Sequence, residues 1–156
     1  LQIPLTVIAS DLYSRREAAI SSGALRTAVA ASMAIPAVSR PVMVEGRVMV
    51  DGGATNPLPF DRVRALADIV IAVDVAGPPA DDCTAMPDSF ECYLATVLVM
   101  AQTIIDEKIK HGAPDIVLRP NVGIFRALDF LRASAILRAA EPVKAELREK
   151  LGKLLA

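Results

Sequence analysis

The sequence predicts an α/β fold, and three observations carry that prediction. Short apolar runs rich in β-branched residues alternate with helical patterns along the whole chain. One run, IVIAVDV at 69–75, is apolar almost throughout, as a parallel strand covered on both faces must be. No second core pattern, internal repeat or low-complexity segment accompanies them. With 156 residues, 53% of them hydrophobic, the chain can bury a sizeable core and fits one domain or a large part of one.

The first element is Ile3 to Asp11, whose β-branched residues ending in Ser10-Asp11 read as a buried strand, with REAAI at 16–20 as its partner. Ser21-Ser22-Gly23 then precedes a small-residue helix over 24–34 that can pack close to a neighbour. Pro36 ends it and biases Ile35 toward an extended conformation. PVMV at 41–44 and RVMV at 47–50 flank Glu45-Gly46, a two-residue hairpin loop that leaves Asp51 just past the paired region. A short helix at 59–66 leads to the strand at 69–75.

The proline- and aspartate-rich stretch 77–88 reads as an exposed loop. Ser89 is placed to cap a long helix reaching about Lys110, with Phe90, Tyr93, Leu94, Val97, Met100, Ile104 and Ile105 as its core stripe and His111-Gly112 as its stop. DIVL at 115–118 is a further strand, so 69–118 forms one parallel strand-helix-strand unit, expected to be right-handed. From Ile124 to about Leu155 the pattern is helical, interrupted at Glu141-Pro142.

Composition excludes several functions. Lys plus Arg number 17 against 18 Asp plus Glu, a net charge of -1, so neither a nucleic-acid surface nor an acidic tail is indicated. Cys83 and Cys92 with the one histidine, His111, make neither a zinc cluster nor a disulfide framework, which suits a reducing, cytoplasmic setting. Cys92 and the methionines read as core filling. The longest nearly apolar run, Leu94 to Ala101, is well short of the roughly 20 residues of a membrane span, which leaves peripheral contact with lipid open. No phosphate-binding glycine pattern occurs, and no cofactor is indicated.

Three aspartates, Asp11, Asp51 and Asp74, fall at or near strand ends, where ligands of open α/β sheets bind. A carboxylate there can serve as a general base, as a turn residue or, with the other two, as a metal ligand. Gly52 and Gly53 after Asp51 would let backbone approach a substrate and would accept positive φ. No serine sits in G-x-S-x-G. Ser32 lies in the small-residue helix, Ser10 reads as a turn or cap residue, and His111 sits where a helix-dipole role is expected. A Ser-His-Asp triad within this chain is therefore not expected. Asp81-Asp82 has no third ligand at a suitable spacing and reads as a solvated loop.

Taken in order, IPLTVIASDL, SGALRTAVAASMAIPAVSRPV, GRVMVDGGATNPLPF and ADIVIAVDV resemble the patatin-like phospholipase family, closely over residues 1–76 and more loosely through APDIVLRP and the C-terminal helices. The resemblance implies a mostly parallel sheet flanked by helices and a Ser-Asp dyad acting on lipid or other carboxyl esters. The Asp of the family's D-G-G/A motif is Asp51 here. Gly52, Gly53 and Asn56 would shape the site around it. The family's G-x-S-x-G elbow and glycine-rich oxyanion loop are absent from these residues. A nucleophile is indispensable, and an oxyanion donor typically contributes about 3 to 4 kcal/mol, so the chain alone is expected to be inert.

The opening at Leu1, directly into an apolar segment, reads as a cut inside a domain. On that reading residues 1–156 are the C-terminal portion of a single patatin-like domain, with the N-terminal part missing. Residues 1–123 would bear the sheet and 124–156 the C-terminal helices. Such a piece would self-associate or bind its missing N-terminal part. A noncatalytic binding or regulatory module on the same fold is the alternative.

Overall fold

A computed structural model describes residues 1–76, 86–123, 125 and 129–156. Asp81, Asp82, Cys83 and Ile124 lie outside the described residues. The chain divides into two compact units, Leu1–Pro59 with Val99–Glu107, and Phe60–Leu98 with Lys108–Ala156.

The first unit holds strands β1 (Val7–Asp11) and β2 (Arg16–Ile20), helix α1 (Leu25–Ser32), and strands β3 (Val42–Val44) and β4 (Arg47–Asp51). Its sheet runs β2-β1-β4-β3, with every neighbouring pair antiparallel. The expectation of a mostly parallel sheet is corrected here. Two of the three pairings are closed by short turns, and a short turn can join strands only in antiparallel fashion.

The turns follow from local chemistry. Asp11 Oδ1 accepts the amides of Tyr13 and Ser14, each at 3.1 Å, and folds 12–15 back so that Asp11 pairs with Arg16. Glu45 (φ 49°) and Gly46 (φ 75°) form the predicted two-residue loop, with Val44 opposite Arg47. Positive φ at both positions makes it a type I′ turn, whose twist matches the strands it joins.

The first strand is shorter than its apolar run suggests. Val7 pairs with Ile20, the last residue of β2, so Leu1–Thr6 have no strand to pair with. Helix α1 buries Ala28 and Ala31, and Ala31 packs with Ala9, Ala18 and Met49, flanked by Ile20, Val42 and Val44. The alanines let helix and sheet approach closely around the single large residue, Met49.

The second unit holds strands β5 (Ile71–Val73) and β6 (Ile116–Leu118), which pair in parallel with Ile71 opposite Ile116. Between them in sequence runs helix α2 (Ser89–His111), as the strand-helix-strand reading anticipates. Asp115 accepts the Val70 amide at 2.8 Å and is paired with Arg64, which ties the start of β5 to the start of β6. The chain then forms a 3₁₀ turn at Phe130–Arg132, helix α3 (Ala133–Ala140) and helix α4 (Val143–Leu155), with the break at Glu141-Pro142 as predicted. Lys150 of α4 donates to the Val117 carbonyl at 2.9 Å. The helix predicted over 59–66 is reduced to one 3₁₀ turn, Phe60–Arg62.

Helix α2 departs from expectation in three respects. Its cap is Asp88, whose carboxylate accepts from Phe90 and Glu91 in a capping box, and not Ser89. Of the predicted stripe only Ile105 is fully buried, whereas Phe90, Tyr93 and Met100 are exposed. Cys92 is exposed as well, and of the methionines only Met49 fills core. At 23 residues α2 reaches the length and composition of a membrane span, further than the run at 94–101 suggests.

Candidate active site

Asp51 is the last residue of β4. Beyond the three pairs that β4 makes with β3, it lies opposite Ala9 of β1, so it belongs to the sheet instead of standing outside it. Its backbone is tied on both sides: the Asp51 amide donates to the Ala34 carbonyl at 3.0 Å, and the Ser10 hydroxyl donates to the Asp51 carbonyl at 2.9 Å. A 3₁₀ turn, Gly52–Ala54, follows, and Gly52 accepts from the amides of Thr55 (3.1 Å) and Asn56 (2.9 Å).

Within this turn the Gly53 amide donates to Asp51 Oδ1 at 2.7 Å. The carboxylate is half-buried. Burial pushes its pKa above the ordinary aspartate value, and the Gly53 amide opposes the rise by favouring the charged form. Raised affinity for a proton at a group that still faces solvent is what proton abstraction calls for.

The two glycines serve different purposes, and neither is there for positive φ. A Cβ on Gly52 would stand 2.3 Å from the Ile8 carbonyl oxygen and 2.8 Å from its carbonyl carbon, so only glycine lets the turn lie this close to β1. A Cβ on Gly53 would meet just Asp51 Oδ1, at 2.9 Å. Asn56 is 5% exposed and donates to Glu17 Oε2 at 2.9 Å, which anchors the end of the loop on β2.

The other sequence candidates are not brought to this carboxylate. Asp11 lies opposite Met49, two positions from Asp51 along the ladder and so about 7 Å away at the usual strand rise. Its carboxylate closes the β1–β2 turn, and the Ser14 amide above all lowers its pKa. Asp74, in the second unit, accepts from the Ala76 amide at 3.2 Å and from Arg119 Nε at 3.3 Å. Among the described residues no three His, Cys, Asp or Glu side chains are grouped to hold a metal ion.

Ser32 is the final residue of α1, and His111 is exposed at the end of α2 beside Lys108 and Lys110. Ser10 is 2% exposed, and its proton goes to the main-chain oxygen of Asp51, not to the carboxylate. Ser10, which reads from sequence as a turn or cap residue, stands inside β1 and is bonded to Thr55 Oγ1 at 2.7 Å. The available signal was a hydroxyl inside the apolar run VIAS, since a buried polar group requires a partner.

The Patatin-like phospholipase family model matches residues 2–64, which include Asp51 and the whole of its turn. An uncharacterized NTE family protein of Mycobacterium tuberculosis is 41% identical over 81 residues, covering 51% of this chain and 22% of that protein. Patatin-like phospholipase domain-containing protein 7 of Rattus norvegicus is 31% identical over 155 residues, covering 83% of this chain and 12% of that protein. The match thus spans less than a quarter of the length of either relative. Residues 2–64 match the patatin-like phospholipase family, and the relatives found bear its name or that of the NTE family.

Proposed function

We propose that this chain supplies the general base of a serine acyl hydrolase that cleaves lipid or other carboxyl esters, and that it is the C-terminal portion of that enzyme's patatin-like domain. The observation that carries the reading is Asp51 itself: a half-buried carboxylate with raised proton affinity, held by Gly53 in an Asp-Gly-Gly turn inside the family-matched segment.

Oδ1 of Asp51 is engaged by the Gly53 amide, which leaves Oδ2 to receive a proton. In the first half-reaction Asp51 takes the proton of a serine hydroxyl as its oxygen attacks the ester carbonyl. Collapse of the tetrahedral intermediate expels the alcohol, which takes up the proton, and leaves an acyl-enzyme. In the second, Asp51 takes a proton from water, whose oxygen attacks the acyl carbonyl; the fatty acid departs and the proton returns to serine. The serine and the oxyanion donors belong to a segment outside residues 1–156. Gly52, Gly53 and Asn56 hold the turn that presents the base.

The test is Asp51→Asn in the full-length protein, assayed with a p-nitrophenyl ester. Turnover should fall by at least about 100-fold, the lower range for loss of a positioned general base. Near-normal turnover would remove Asp51 from the mechanism and favour a noncatalytic, ligand-binding role for the fold. The 156-residue chain alone should show no ester hydrolysis. Activity of that chain abolished by Ser32→Ala would place the nucleophile inside it.

A further inference from the structure

We infer that Ser10 is a positioning residue for Asp51: from the doubly paired strand β1 its hydroxyl fastens both ends of the Gly52–Ala54 turn and so sets where the carboxylate points. The inference rests on the reading of Asp51 as the base, and it adds a residue that the Asp-Gly-Gly motif does not contain.

Proton counting fixes the direction of the bonds. Ser10 has one hydroxyl proton, and it is donated to the Asp51 carbonyl. The 2.7 Å contact with Thr55 must therefore have Thr55 as donor and Ser10 as acceptor. The relay Thr55 Oγ1–H to Ser10 Oγ–H to Asp51 carbonyl spans the turn from its far end to its near end, through one atom that is itself immobilised. Strand β1 pairs with β2 on one side and β4 on the other, and Ser10 is almost completely buried.

The consequence for Asp51 is geometric. Its amide is held by the Ala34 carbonyl and its carbonyl by Ser10, so the peptide planes on both sides of its Cα are set. The direction of the Cα–Cβ bond follows from those planes, and the Gly53 amide then selects the side-chain rotamer. A base has to be placed to within a fraction of an ångström, and Ser10 adds a direct hold on the Asp51 carbonyl to those that the Ala34 carbonyl, the pairing with Ala9 and the Gly53 amide provide. A buried hydroxyl in an apolar strand also costs stability unless it is hydrogen-bonded. Alanine would fill the same place more cheaply, and the turn is what makes use of the oxygen.

Two measurements test this. In the 156-residue chain, amide hydrogen exchange at Gly53 is followed by NMR in wild type, Ser10→Ala, Ser10→Thr and Thr55→Val. Exchange should quicken about 10-fold in Ser10→Ala, less in Thr55→Val, and return toward wild type in Ser10→Thr, which restores the hydroxyl. In the full-length protein Ser10→Ala should lower kcat by about 10- to 100-fold, in keeping with a base displaced by up to 1 Å, with KM within about 2-fold and kcat recovered by Ser10→Thr.

Unchanged Gly53 exchange and unchanged kcat in Ser10→Ala would overturn the inference. If Ser10→Ala does not fold, Thr55→Val, nearly equal in shape, carries the same test, and wild-type exchange and kcat in that variant would overturn it too. Failure of the underlying reading is seen separately: full turnover in Asp51→Asn discards the base, whereas a dead Asp51→Asn beside a fully active Ser10→Ala discards only Ser10.

Discussion

Replacing Gly52 with alanine introduces a methyl carbon 2.3 Å from the Ile8 carbonyl oxygen and 2.8 Å from its carbonyl carbon. Close C–H···O contacts lie at about 3.3 to 3.6 Å, so the turn and β1 must separate by roughly 1 Å. The obstacle is backbone in the middle of a sheet, which cannot swing aside as a side-chain end does. Overpacking of this kind costs about 1 to 3 kcal/mol, and withdrawal of the turn also strains the Ser10–Asp51 hydrogen bond, worth about 1 kcal/mol. A total of about 3 kcal/mol, at roughly 2 to 4 °C per kcal/mol for a chain of this size, lowers Tm by about 6 to 12 °C. Thermal unfolding followed by circular dichroism reads this directly. Gly53→Ala is the internal control, because its Cβ meets only the end of the Asp51 side chain, which can rotate. Its Tm should stay within about 3 °C of wild type, in accord with the D-G-G/A alternation of the family that the sequence resembles. Equal melting of Gly52→Ala and wild type would refute the close-approach argument.

Other predictions follow from the same geometry. Asp51→Asn should melt above wild type at neutral pH, because burial makes the charged carboxylate costly. The sign is that of a raised aspartate pKa: native Asp51 holds its proton more tightly than the unfolded chain does, so wild-type stability falls as pH rises from about 3.8 through the raised value. The advantage of the asparagine variant should therefore vanish at lower pH, as melting over a pH series would show. Asp115→Asn should behave oppositely, since the Arg64 guanidinium, followed by the Val70 amide, lowers the Asp115 pKa. The variant should melt lower at neutral pH, and the difference should disappear as pH falls through the lowered pKa. Glu45→Asn should raise Tm by about 2 to 4 °C, because a non-glycine residue in the left-handed region costs about 1 to 2 kcal/mol and asparagine tolerates it best.

Much of the local structure was legible in the residues. Glu45-Gly46 between two apolar runs could hardly be anything but a tight hairpin, and both residues do take positive φ. Pro142 marks a helix boundary where its ring forbids continuation, whereas α1, expected to run to Pro36, already ends at Ser32. Asp51 was recognisable as a candidate base from its motif and its place after a strand. The exposed face of α2 was less legible, because apolar spacing reveals which residues share a face but not whether anything covers it.

By itself, the sequence determined the α/β composition, the hairpin, the family and the carboxylate on which the functional reading turns. Only the tertiary structure decided how the two locally closed strand pairs join. Their joint is β4 lying antiparallel against β1, a contact between distant segments that no local pattern encodes. The close approach that makes Gly52 indispensable was decided the same way, and so was the hydroxyl that holds Asp51, supplied by Ser10 41 residues earlier in the chain. Propensity and periodicity act over a few residues, whereas burial, close contact and the direction of a hydrogen bond exist only once distant parts of the chain have met.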